Sequence, residues 1–146
     1  MFDERWKADV EKKIKEKSKF VKNDPYFFGF FINNEIHWGT PFSLANQTLA
    51  KGPKTKGKEV FISLLKKELN SIENFNSKTG GSFKSWDDLL QTKVEVNTLQ
   101  LHKIKEINIK HYKSMVEYYF SITKKLIDTY APGKMYIGCR WHGNHK

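Results

Sequence analysis

The sequence has few of the features that mark disulfide-bonded secreted proteins and membrane proteins. Its 146 residues include a single cysteine, Cys139, so no disulfide can form within the chain. No stretch approaches the roughly 20 apolar residues that cross a bilayer, and the charged N-terminus lacks the apolar segment of a secretory signal. We therefore expect no membrane partner. The compartment stays undetermined, because export within a longer secreted or periplasmic protein remains open.

Arginine is scarce despite the formal net charge of +10. Only Arg5 and Arg140 are arginines, and the remaining excess is lysine spread through helical stretches, which is typical of a solvated face. Sites for nucleic acids usually use arginine for bidentate contacts to phosphate and guanine. We therefore predict no nucleic-acid partner, and a basic nucleic-acid-binding domain is an alternative that rests on charge alone.

Metal-ligand spacing is also missing. His37 and His142 follow the two apolar strands predicted below, but neither belongs to a paired-histidine or cysteine motif. We read them as loop or pocket-lining residues and predict no metal and no cofactor.

Aromatic residues, at 14%, are abundant enough to argue against disorder. Trp6, Val10, Ile14 and Ser18 follow the spacing of one helical face, which predicts a helix from about residue 4 to residue 20. The apolar run Tyr26–Ile32 predicts a strand buried on both faces, as in a parallel sheet.

The middle of the chain predicts mostly helices. We expect weak helix near residues 42–49, an exposed loop over Lys51–Lys58, a helix over 59–69, and two short helices capped by Ser71 and Ser85. A long helix over 101–130 and a second apolar strand over Met135–Cys139 complete the pattern. Cys139, inside that strand, is expected to be buried and inert.

Strands that alternate with helices indicate an α/β fold, with two parallel strands and several helices. Two parallel strands are too few for an independent sheet, because faces and edges stay uncovered. Either the chain contains strands that its pattern does not reveal, or it is part of a larger fold. In the second case we expect it to self-associate through exposed strand edges.

Polar side chains follow both strands at the end where parallel α/β proteins bind ligands. Asn34, Glu35 and Trp38 follow the first strand, and Arg140 ends the second. Partial desolvation at a strand end favours the protonated form of a carboxyl group, which suits Glu35 to proton donation. Asn34 can grip a hydroxyl, and Trp38 offers a flat apolar face. The alternative is that Glu35 is a capping or ion-paired residue.

Three segments, in order, resemble one enzyme family. "DPYFFGFFINNEIHWG" resembles the fourth-strand segment of retaining (β/α)8 glycoside hydrolases of the agarase and β-galactosidase-like group. "KGKEVFISLLKKELNSIENFNSKTGGSFKSWDDLL" is similar to inserted helices of that family, and "YYFSITKKLIDTYAPGKMYIGCRW" resembles its next helix and strand. The resemblance implies a partial TIM barrel: helix and acid/base strand in residues 1–39, a helical excursion in 40–100, and helix and next strand in 101–146.

The resemblance also implies a function, which is retaining hydrolysis of β-galactosidic bonds in a galactose-containing poly- or oligosaccharide. Glu35 would be the general acid/base and Asn34 would hold a sugar hydroxyl; the substrate-binding positions are completed by His37, Trp38, Arg140 and Trp141. The resemblance places the nucleophile on a strand three positions later in the barrel, which we expect to lie outside this chain, and no carboxylate here ends another apolar strand. The isolated chain is therefore expected to be inactive or very weak. A non-enzymatic carbohydrate- or protein-binding helical module is the alternative.

Overall fold

The computed structural model describes residues 3–53 and 55–140. Within them the chain divides into two compact units. The sheet unit comprises residues 3–38 and 116–140, and the helical unit comprises the described residues of 39–115. No helix in the described ranges is long and apolar enough to span a bilayer.

The elements alternate as an α/β chain, with a short 3₁₀ turn at Leu101–Ile104 before the last helix. In chain order they are α1 (Glu4–Val21), β1 (Gly29–Asn34), α2 (Pro41–Leu49), α3 (Lys56–Leu69), α4 (Ile72–Thr79), α5 (Trp86–Gln91), α6 (Lys105–Tyr130) and β2 (Met135–Arg140).

Helix α1 forms where the apolar spacing predicts it. Asp3 caps it by accepting a hydrogen bond from the backbone N–H of Arg5, and Ile14 and Ser18 are its buried residues. Ile14 packs with Leu126 and Ile127 of α6 to form the core of the sheet unit.

Strands β1 and β2 are parallel neighbours, as the sequence predicts. The predicted bounds and burial of the first strand are wrong, however. The strand runs over Gly29–Asn34, and Phe31 is 56% exposed. Phe30 and Ile32 pack against the helix core while Phe31 points the other way, because successive side chains of a strand face opposite sides. In the described chain only one face of β1 is covered.

The sheet register is irregular at two points. Between Phe30 and Phe31, β2 contributes an extra residue, and Gly138 there has a φ of 87°, which favours glycine. Between Phe31 and Asn34, β1 contributes the extra residue. The two bulges compensate, so Asn34 and Arg140 end the strands as direct partners.

The helical unit has its own core, built by α2 to α5 and the start of α6. Ser71 and Ser85 cap α4 and α5 as predicted, each accepting a hydrogen bond from a backbone N–H three residues on. The fully buried hydrophobic side chains of this core include Ala45, Leu49, Phe61, Leu65, Phe75, Leu89 and Leu101.

The predicted exposed loop over Lys51–Lys58 is partly wrong. Helix α3 already begins at Lys56, and Lys58 is fully buried. Its ammonium donates to the backbone carbonyls of Lys51 and Thr92. These carbonyls follow the ends of α2 and α5, where unpaired carbonyls and the helix dipole favour a cation. Lys58 therefore has a structural role that the composition of Lys51–Lys58 does not indicate.

Candidate functional site

The candidate site lies in the sheet unit, where β1 and β2 end side by side. Beyond the last paired residues, the backbone N–H of Glu35 donates to the carbonyl of Arg140 over 2.8 Å. This bond extends the pairing one step past the strands. Glu35 and Arg140 are therefore adjacent, as the strand-end argument predicts.

Arg140 holds the side chain of Asn34. Its Nη1 donates to Asn34 Oδ1 over 2.9 Å. A guanidinium only donates, so the amide oxygen must face it, and the Asn34 NH₂ group must point away. In the described ranges no residue accepts from that NH₂ group, which leaves two donor hydrogens for a ligand.

The backbone at the end of β1 takes up an unusual conformation. Asn33 has a φ of 69° and Glu35 a φ of 53°, both in the left-handed region. Asparagine tolerates this region, but glutamate seldom adopts it. Such residues cost on the order of 1–3 kcal/mol each and persist only where the surroundings hold them. The strand end is therefore held in a shape that its residues do not prefer.

Tyr119 of α6 holds one side of this strand end. Its hydroxyl accepts a hydrogen bond from Asn33 Nδ2 over 2.6 Å and donates to the carbonyl of Ile32 over 3.3 Å. The side chain is 1% exposed, and burial raises the pKa of Tyr119 to about 12, against the lowering effect of the Asn33 bond. The hydroxyl therefore stays neutral and can donate and accept at once.

Glu35 itself is exposed, so burial within this chain does not supply the desolvation expected from the sequence. Within residues 3–53 and 55–140, no group forms a hydrogen bond or ion pair with its carboxylate. Glu35 is therefore neither a helix cap nor a structural ion-pair partner in this part of the chain. Its carboxylate is free to meet a ligand.

The other predicted positions differ in their surroundings. His37 is exposed, and Trp38 is half-buried against Tyr119 and Phe120, with ring centroids at 5.2 and 5.8 Å. The Trp38 indole N–H is buried and lacks a hydrogen-bond partner among the described residues. Trp141 lies outside the described residues.

Three other acidic side chains of the sheet unit have partners at or between its helices. Asp3 caps α1, Glu11 accepts from the hydroxyl of Tyr130, and Asp128 pairs with Lys124. In the described ranges β1 and β2 themselves contain no carboxylate. No cluster of histidine, cysteine and acidic side chains there fits a metal ion.

Cys139 is buried, as predicted, and its burial raises the pKa of the thiol. A thiol with a raised pKa is a poor nucleophile near neutral pH.

Sequence reasoning placed Tyr119 only on the inward face of the long helix and missed its contact with β1. A signal was present, because a buried position on a helix facing an apolar strand rarely needs a hydroxyl. A buried tyrosine usually finds a polar partner. The partner itself could not be inferred, since it lies 86 residues away in the chain.

Comparison with known proteins identifies relatives of one kind, although no family model matches the chain. The chain is 28% identical over 131 residues to beta-agarase B of Vibrio sp. (strain JT0107), covering 80% of this chain. A solved exo-beta-agarase superposes on 96% of the chain with a TM-score of 0.83 at 24% identity. The agarase AgWH50C superposes on 96% with a TM-score of 0.81 at 26% identity.

The chain spans only a small part of these relatives: 13% of beta-agarase B, 20% of the exo-beta-agarase and 21% of AgWH50C. The likeness nevertheless extends over 96% of the present chain in both superpositions. By sequence and by fold, the chain is similar to one segment of the agarase-type glycoside hydrolases.

Proposed function

We propose that this chain forms the acid/base segment of a retaining glycoside hydrolase that cleaves β-galactosidic bonds in an agar-type polysaccharide. The observation that carries the proposal is the pairing of Asn34–Glu35 with Arg140 at the carboxyl ends of two parallel strands. The similarity to beta-agarases supports the class of substrate.

Glu35 has the chemistry that the first step needs. As an acid it protonates the oxygen of the scissile bond while a second carboxylate, about 5 Å away, attacks the anomeric carbon. As a carboxylate it then removes a proton from the water that releases the sugar. Its lack of a protein partner among the described residues leaves the oxygens available for both steps.

Asn34 supplies orientation. Arg140 holds its amide oxygen, so the NH₂ group is presented as a donor to a sugar hydroxyl. Because the amide is already fixed, little conformational entropy is lost when it bonds a substrate hydroxyl. We therefore assign Asn34 to substrate binding. His37, Trp38, Arg140 and Trp141 are proposed to complete the substrate-binding surface.

The second carboxylate is not at the ends of β1 or β2 in the described residues. We therefore propose that it comes from polypeptide outside this chain, since the chain spans only 13% of beta-agarase B, 20% of the exo-beta-agarase and 21% of AgWH50C. The 146-residue chain alone is then expected to release no reducing sugar from agarose.

A chimera tests the proposal. This chain replaces the matched segment of a beta-agarase, and Glu35→Gln is compared with Glu16→Gln, an exposed glutamate of α1. We expect Glu35→Gln to lower kcat about 10²–10⁴-fold, the usual contribution of a general acid, and Glu16→Gln to leave it unchanged. Substrates whose leaving group needs no proton should lose much less in the cleavage step. Unchanged turnover with Glu35→Gln would remove Glu35 as the acid/base.

Binding separates the proposal from the alternative of a binding module. If the 146-residue chain binds agaro-oligosaccharides, with affinity unaffected by Glu35→Gln, and a folded chimera is inactive, the module is favoured. Retention of the anomeric configuration in the first product of an active chimera supports the double-displacement chemistry.

A further inference from the structure

We infer that Tyr119 is a positioning residue that holds the bulge at the end of β1 and so directs the Asn34 and Glu35 side chains. The inference deepens the proposed function and rests on it for its catalytic consequence. Its structural part concerns the sheet unit alone and can be tested without any catalysis.

The bulge decides which way the side chains point. Side chains of a strand alternate between its two faces, so one extra residue in β1 exchanges the faces of every residue after it. The extra residue falls between Phe31 and Asn34. Without it, Asn34 would lose its present pairing with Arg140, and Glu35 would turn to another direction.

The bulge needs support, because its central residue is in the left-handed region. Asn33, with a φ of 69°, can reach this conformation but does not favour it strongly. The Tyr119 hydroxyl bonds two groups of the bulge: it accepts from the side-chain amide of Asn33 and donates to the backbone carbonyl of Ile32. One buried hydroxyl therefore provides a hydrogen-bond partner for both a side chain and a backbone group of the bulge.

Tyr119 is itself well fixed. It is 1% exposed and packs edge-on against Trp38 and Phe120, with ring centroids at 5.2 Å from each. Because Trp38 and Phe120 restrict the movement of its ring, Tyr119 keeps its hydroxyl in one place even if the strand shifts. The end of β1 is thereby positioned by helix α6 through Tyr119.

The test removes only the hydroxyl. In the 146-residue chain, Tyr119→Phe is expected to shift the backbone NMR signals of Asn34 and Glu35 away from their wild-type values. Tyr136→Phe is the matched control, because its hydroxyl bonds Thr123 over 2.8 Å in the same unit and does not touch the bulge. This control should leave the signals of residues 34 and 35 in place.

Rescue distinguishes positioning from general packing. Glycine adopts a positive φ without strain, so Asn33→Gly added to Tyr119→Phe should return the Glu35 signals toward wild type. Glu35 is read because it is not a direct neighbour of the substituted residue 33. A role of Tyr119 in core packing alone would not be rescued by a change at residue 33. If Tyr119→Phe fails to fold, Asn33→Ala alone makes the test, since it removes the amide and disfavours the left-handed region. It should shift the backbone signals of Glu35, which is not a direct neighbour of the substituted residue.

Kinetics in the chimera give the catalytic consequence. Tyr119→Phe should lower kcat about 10–100-fold, as expected for a misplaced catalytic group, and Asn33→Gly should recover part of it. The inference is overturned if Tyr119→Phe leaves the signals of residues 34 and 35 unchanged, or if Asn33→Gly fails to restore the signals of Glu35. A different result separates the two proposals. If the NMR signals shift and recover as expected but Glu35→Gln does not lower the activity of the chimera, the proposed function is wrong and the role of Tyr119 at the bulge stands.

Discussion

The Nη1 atom of Arg140 lies 2.9 Å from Oδ1 of Asn34, although the two residues are 106 positions apart in the chain. The contact joins the ends of two neighbouring strands and fixes which half of the Asn34 amide is available to a ligand. The proposed binding role of Asn34 therefore depends on Arg140.

Arg140→Met should weaken that role. The amide of Asn34 becomes free to rotate, and one exposed hydrogen bond of about 1 kcal/mol is lost, so we expect kcat/KM of the chimera to fall about fivefold. Arg5→Met is the control, because Arg5 pairs with Asp3 at the exposed start of α1. Equal effects of the two substitutions would contradict the role given to Arg140.

Gly29→Ala should destabilise the sheet unit. A Cβ at residue 29 would lie 2.4 Å from the carbonyl oxygen of Met135, a backbone atom that cannot move without disturbing the strand pairing. We expect a loss of about 1–3 kcal/mol in the free energy of unfolding, measured in urea by the amide signals of β1 and β2. Gly52→Ala has no atom within 4 Å of the added Cβ and should change stability by less than about 0.5 kcal/mol.

The helical unit should lose stability as the pH falls from 6.5 to 4. His111 is 1% exposed and stacks on Phe61 with ring centroids 4.3 Å apart, and burial lowers the pKa of His111 from 6.5 to about 4. Its contribution is complete above the unfolded value of 6.5, because the imidazole is then neutral in both states. Below that pH the unfolded chain gains a proton that the folded chain does not, until the pH reaches about 4.

The shift corresponds to about 3 kcal/mol over this range. Chemical denaturation at several pH values measures it. His111→Phe keeps the stacking on Phe61 and should remove most of the pH dependence, whereas His102→Gln, at an exposed position, should keep it. A wild-type chain with equal stability at pH 6.5 and pH 4 would contradict the prediction.

Lys58→Met should destabilise the helical unit. Methionine fills similar space but cannot donate to the carbonyls of Lys51 and Thr92, which Lys58 reaches from a fully buried position. Unpaired buried carbonyls cost about 1–3 kcal/mol, which urea denaturation resolves. Lys56→Met at an exposed position of the same helix provides the comparison and should change stability by less than about 0.5 kcal/mol. Higher stability of Lys58→Met would mean that burying the ammonium costs more than its bonds return.

Much of the secondary structure follows from local chemistry. The spacing of Trp6, Val10, Ile14 and Ser18 predicts α1, and the serines at 71 and 85 mark the starts of α4 and α5 where the structure has them. Caps and apolar spacing act within a few residues, so they can be read from the chain directly.

Errors arose where distant parts of the chain decide the outcome. The composition of Lys51–Lys58 is typical of an exposed loop, yet Lys58 is buried because two helix ends converge on its ammonium. The run Tyr26–Ile32 is apolar enough for a fully buried strand, yet Phe31 is exposed because β2 and the helix core occupy only one edge and one face of β1.

The amino-acid pattern alone is enough to predict that Asn34 and Glu35 follow an apolar strand and that Arg140 ends another, because strand composition and turn residues act over short distances. The three-dimensional packing was needed to show that the Asn34 side chain and the Glu35 backbone both pair with Arg140, and that the Tyr119 hydroxyl bonds Asn33 and Ile32 just before them. Strand register, bulges and buried hydroxyl contacts depend on packing between segments about a hundred residues apart, and no local pattern in the chain specifies that packing.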